Sequence, residues 1–67
     1  MKKIEINDQT TEYISGHKKF ILIRNTEEYL VYEDGKLDSR YTSRIKAEQY
    51  IEDRIMEMEL VKENRTI

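Results

Sequence analysis

Residues 18–41 read KKFILIRNTEEYLVYEDGKLDSRY, and this stretch decides the fold. Lys18 to Arg24 is dense in β-branched and aromatic types and ends at Asn25-Thr26, a turn signal, so a strand is predicted. Tyr29-Leu30-Val31-Tyr32 predicts a second strand. Asp34-Gly35 follows it. A type I′ turn needs positive φ at both central positions, and Asp-Gly meets that need at small steric cost. Lys36 to Tyr41 then returns as a third strand, with Glu33 and Lys36 opposed beside the turn.

Working outward, Thr11 to Ile14 precedes Ser15-Gly16 and predicts a further strand paired to Lys18–Arg24 through that turn. Lys3 to Ile6 alternates and is expected as a short edge strand or arm within residues 1–10. Downstream, Ser43 is the expected N-cap, with Thr42 its rival, because a side-chain oxygen there satisfies an orphan backbone N–H. From Ser43 to about Lys62 no glycine or proline interrupts the chain. At 100° per residue Tyr50, Ile51, Ile55, Met58 and Val61 share a stripe with Ala47, the pattern of an amphipathic helix. Residues 63–67 are expected to fray. The expected class is α+β: an antiparallel β-meander of three to four strands packed against one C-terminal amphipathic helix, with residues 1–67 a single domain.

Register follows from the turns. A two-residue turn at Asp34-Gly35 pairs Tyr32 with Leu37 and Leu30 with Ser39. A four-residue connection from Asn25 to Glu28 pairs Ile21 with Tyr32 and Ile23 with Leu30. One face then holds Ile21, Ile23, Leu30, Tyr32 and Leu37, and the helix is expected to cover it. The other face holds Phe20, Leu22, Tyr29 and Val31, rimmed by Lys18, Arg24, Lys36 and Arg40. These eight residues are the expected partner-binding surface, an apolar-aromatic patch with a polar rim. The competing reading folds the N-terminal segment, with Ile4, Ile6, Tyr13 and Ile14, back over that face.

A helix from Ser43 to Glu63 is about 30 Å long, and a strand of six or seven residues about 20 to 23 Å. Its last two turns are therefore expected to overhang the sheet. Met56 and Leu60 lie roughly opposite the main stripe and mark a possible homodimer contact. Arg54 falls inside the stripe, where its stem is expected to pack and its head to reach water.

Composition bounds the chemistry. A chain of 67 residues makes one domain with a thin core. There is no cysteine and a single histidine, so neither a disulfide nor a thiolate metal site is expected. Charged residues (39%) outnumber hydrophobic ones (37%), a balance that suits disorder, but the strong patterning of the apolar residues argues for a fold. The formal charge of -2, with both signs interleaved, provides no general attraction to nucleic acid and no polybasic membrane anchor. The longest apolar run, Phe20 to Ile23, is far short of a membrane span. Glu5 and Asp8 interrupt the start of the chain, so no leader peptide is expected and the cytoplasm is the expected location. Asn64-Arg65-Thr66 matches a glycosylation acceptor only by chance in that setting.

Catalytic groups do not converge. His17 could be joined with Ser15 or Ser39 and Asp34 or Asp38, but all are turn or strand-edge residues without a preorganised elbow. Glu27-Glu28 and Glu33-Asp34 are neighbours on a strand or turn and diverge. Glu48, Glu52, Asp53, Glu59 and Glu63 are expected on the solvated side of the helix. No catalytic residue, metal site or cofactor is expected. The expected function is that of a non-enzymatic binding protein, a regulator or inhibitor that docks on a larger protein. The usage of Lys, Ile, Glu and Tyr is what an AT-rich coding sequence yields, which fits an accessory protein of a bacterium of low GC content or its phage. The alternative is a DNA-binding module. A three-stranded sheet followed by a helix, over residues 18 to 62, is similar in topology to the arm-binding domains of phage-type integrases. That resemblance implies Lys18, Arg24, Lys36 and Arg40, with Arg44 and Lys46, as DNA contacts.

Overall fold

Period-two alternation and four sets of turn residues carry the chain through five antiparallel strands before its helix. These are β1 (Lys2–Asn7), β2 (Thr10–Ser15), β3 (Lys18–Arg24), β4 (Tyr29–Glu33), β5 (Lys36–Tyr41) and α1 (Arg44–Arg65). The computed structural model describes the backbone of residues 1–65 and the side chains of residues 1–60. Strand order follows sequence order, β1-β2-β3-β4-β5, so the sheet is a plain meander. The α+β class is as expected, with five strands in place of three to four. The N-terminal segment extends the sheet sideways as β1 and β2 and does not fold back over it. The helix backbone runs through Arg65, and the tail expected to fray, residues 63–67, lies largely outside what is described. Residues 66–67, and the side chain of Val61, lie outside what is described.

Each turn has a local cause. Asp34 and Gly35 both adopt positive φ, at 50° and 86°, as a type I′ turn requires. Gly16 turns β2 into β3 at φ 60°. Between β3 and β4 the Asn25 N–H donates to the Glu28 carbonyl at 2.8 Å, closing the four-residue connection. At the start of α1 the Lys46 N–H donates to Ser43 Oγ at 3.5 Å, a long cap bond, beside an Ala47 N–H to Ser43 carbonyl bond of 3.1 Å.

A Cβ built on Gly35 meets nothing within 4 Å, so only conformation resists substitution there. Gly35→Val is expected to cost about 1–3 kcal/mol, the penalty for a β-branched residue held at positive φ. Gly35→Asn should recover most of it. Thermal melting measures both, and a Val variant that melts like wild type would displace the turn.

The expected pairs Ile21–Tyr32, Ile23–Leu30 and Tyr32–Leu37 are all present. The pair Leu30–Ser39 is not. Ser39 pairs with Val31 and Arg40 with Leu30, because Asp38 is an extra residue that bulges out of β5. One unpaired residue reverses which way every later side chain points. Ser39 and Tyr41 therefore share a face with Val31 and Tyr29, and the chain leaves the sheet on that side to enter α1.

The helix thus covers the face opposite to the one expected. Phe20 (0% exposed), Leu22 (3%) and Val31 (0%) form the core with Tyr13, Ala47, Ile51 and Ile55. Thr11 is buried beside them, and Tyr29, Tyr41, Tyr50 and Met58 pack around the margin. The helical stripe of Ala47, Ile51 and Ile55, flanked by Tyr50 and Met58, is the one read from the sequence. From near Thr11 at its start, α1 runs back along the sheet to Ser15, whose Oγ lies 3.3 Å from Glu59 Oε1. The Met1 ammonium is 3.9 Å from the same carboxylate oxygen. The sheet therefore reaches as far as Glu59, and the overhang starts later than expected.

Candidate functional site

Four charged or phenolic side chains tie α1 down. The Arg54 guanidinium donates to Glu33 Oε1 at 2.8 Å and to the Tyr50 hydroxyl at 2.9 Å. It stands 5.9 Å from the Phe20 ring centroid and 5.8 Å from that of Tyr50, within cation–π range. Its head was expected in water. It instead bridges the helix to β4, and the Tyr50 hydroxyl foremost keeps the guanidinium charged. Tyr50 itself is held neutral chiefly by the neighbouring Asp38 carboxylate.

At the other flank, Glu48 lies 3.4 Å from Lys3 Nζ and 3.4 Å from the Tyr13 hydroxyl, and 3.3 Å from Arg44 Nε. Burial first, and the Glu48 charge second, push the Tyr13 phenol up to about 12. Glu48 and Glu59 were expected on the solvated side of α1. They anchor it to β1 and β2 instead. Lys18 Nζ sits 3.4 Å from Glu33 and 3.2 Å from Asp34. The Asp34 carboxyl is lowered first by the Lys19 backbone N–H, at 3.1 Å, and then by Lys18. These polar groups are links within the fold. His17 is exposed in the β2–β3 turn.

The expected partner-binding surface is therefore corrected. Phe20, Leu22 and Val31 are core, and Tyr29 is half-buried at its margin, so none of them presents a free surface. Lys18, Arg24 and Lys36 rim the helix side of the sheet, where Lys18 is already paired with Glu33 and Asp34. Arg40 is on the opposite face, moved there by the Asp38 bulge. The six basic residues of the DNA alternative do not line one surface, and Arg44 among them is paired with Glu48. Met56 (59% exposed) and Leu60 (54%) do lie on the outer side of α1, as expected. They stand one turn apart there, with Gln49 and Glu52 between them and the exposed Ile45.

What is left open is the other face of the sheet. Its central row crosses all five strands: Ile4, Glu12, Ile21, Tyr32 and Leu37 are successive cross-strand partners. The next row is Asn7, Thr10, Ile23, Leu30 and Arg40. Ile14 and Lys19 pair beyond the central row on the other side. Among the described residues the helix lies entirely on the far face, and nothing is layered on this one. The apolar members are half-buried by their neighbours within the sheet, and Leu37 is exposed at the edge. Lys19 Nζ and Glu12 Oε2 form an ion pair of 3.1 Å in its middle. This face was read in the sequence as an apolar set, but was assigned to the helix. The signals for the opposite assignment were Thr11 and Tyr13, which add a large buried aromatic beside Phe20, and the helix charges Glu48 and Arg54, which find partners on that side.

The chain is thus a small α+β domain: a five-stranded antiparallel meander backed on one side by a single helix and bare on the other. No protein-family model, curated protein or solved structure matches it. No helix among the described residues is long and apolar enough to cross a membrane.

Proposed function

We propose that this protein acts by binding and not by catalysis: it is a small regulator or inhibitor, working in the cytoplasm, that docks on a larger protein through the open sheet face. The observation that carries this reading is the set Ile4, Ile14, Ile21, Ile23, Leu30 and Tyr32 on a face that no second layer covers. A sheet normally buries its apolar face against another element, and an exposed apolar patch of this breadth marks an interaction site. Tyr32 is the natural anchor, with a large apolar body and a polar tip. The Glu12–Lys19 pair and Arg40 supply the polar groups that give register to such a contact.

A photo-reactive aromatic residue placed at Tyr32, and the same residue at Glu57 on the exposed side of α1, test this in host extract. Capture of a protein at Tyr32, suppressed by excess wild-type chain and absent at Glu57, is the expected outcome. Tyr32→Ser should then weaken binding to the captured protein at least about thirtyfold, the effect of losing one buried aromatic anchor. Equal labelling at the two positions would refute the open face as the working surface.

A further inference from the structure

We infer that the open face is covered by a second copy of this chain when no other partner holds it. The inference rests on reading that face as an interaction surface, and it names the occupant. Area is the first argument. Five strands about 4.8 Å apart, each about six residues long, make a face of roughly 24 by 20 Å. Two stacked copies bury roughly 960 Å2, close to the area of about 1,000 Å2 that a specific contact needs.

Self-complementarity is the second argument. A two-fold axis lying between the sheets along β3 places β1 over the other copy's β5 and β2 over its β4. The central row, Ile4–Glu12–Ile21–Tyr32–Leu37, is palindromic in character under that operation. Ile21 meets Ile21, Ile4 meets Leu37, and the Tyr32 hydroxyl donates to the Glu12 carboxylate. In the next row Ile23 meets Ile23, Thr10 meets Leu30, and Asn7 meets Arg40, polar end on polar end. The two copies of Lys19 approach each other at the rim, but each is already neutralised by its own Glu12 at 3.1 Å. An isologous contact needs the same patch to fit itself, and these rows do.

The sheet edges supply the third argument. β1 carries exposed Lys2, Lys3 and Glu5 and a bulge at Ile6, and β5 carries the Asp38 bulge. Charge and bulges of this kind block a second sheet from adding edge to edge. Stacking face to face, with the two sheets about 10 Å apart, is the route left open.

The experiment uses the full chain. Analytical ultracentrifugation over a wide concentration range should show a mass twice the 8.2 kDa of one copy. Ile21→Glu puts two carboxylates on the axis, and should halve that mass while circular dichroism stays unchanged. If Ile21→Glu proves unfolded, isotope-filtered NMR on a mixture of labelled and unlabelled wild-type chains decides. Ile4 and Leu37 sit on opposite edges of one sheet, so a contact between their methyl groups across copies supports the stacked dimer. A dimer without that contact refutes it, as does a dimer abolished by Met56→Glu or Leu60→Glu but not by Ile21→Glu. A chain monomeric at every concentration also refutes it. If photo-labelling at Tyr32 still captures another protein in that case, the open-face reading survives alone, and without such capture both fail.

Discussion

Ile51→Asp leaves the chain without a cooperative thermal transition. Ile51 is fully buried at the centre of the helical stripe, between Ala47 and Ile55 and against the core of Phe20, Leu22 and Val31. Burying a carboxylate there without a partner costs several kcal/mol. A single core in a domain of this size supplies only about 3–5 kcal/mol, so the substitution consumes the whole margin. Ile51→Val removes one methylene and should cost about 0.5–1.5 kcal/mol, leaving a sharp but lowered transition. Circular dichroism during heating reads both. A wild-type melting curve for the Asp variant would be incompatible with the helix lying on the sheet.

Phe20 and Ile21 are neighbours in β3 and should respond very differently. Phe20→Ala removes a side chain with no exposed surface, and is expected to cost about 3–5 kcal/mol, near the total stability of the domain. It also strips the ring from beneath the Arg54 guanidinium. Ile21→Thr, on the open face, keeps the β-branched shape suited to a strand and should leave the monomer folded, with a loss below about 1 kcal/mol. Urea unfolding of the two variants at low protein concentration ranks them. The reverse ranking would put the helix on the Ile21 face.

That comparison isolates what was and was not legible in the sequence. Turn chemistry located the Asp34-Gly35 hairpin and the Asn25–Glu28 connection, and with them the pairing of Ile21 with Tyr32 and Ile23 with Leu30. It placed the β2–β3 turn one residue early, at Ser15-Gly16 instead of Gly16-His17. Helical periodicity located Ala47, Ile51 and Ile55. Apart from Arg40, which the bulge moves across, the two faces of the meander were sorted correctly into two sets of residues. Their assignment to core and surface was inverted, because both sets are apolar and the choice between them hangs on Asp38. A bulge leaves little trace in a strand of alternating polar residues, and KLDSRY reads as plausibly with it as without it. The roles of Arg54 and Glu48 were missed for a related reason. Their partners, Glu33 and Lys3, become neighbours only once the helix is known to lie on the Phe20 side.

Asp38 works as a parity bit for the whole molecule. Drawing that one residue into the ladder opposite Val31 would return Ser39 and Tyr41 to the Leu30 side, and the two-residue link at Thr42-Ser43 is too short to carry α1 back around the sheet edge. Two chains of nearly identical sequence could then differ in which surface they hide and which they offer, without changing a single residue of β1 to β4. In a lineage of such meanders, substitutions that flatten this bulge without changing the chain length would turn the protein inside out, exchanging its interior with its interface in one step. Sequence identity across the strands would then be a poor guide to shared partners, and the presence of a bulge in the final strand a better one.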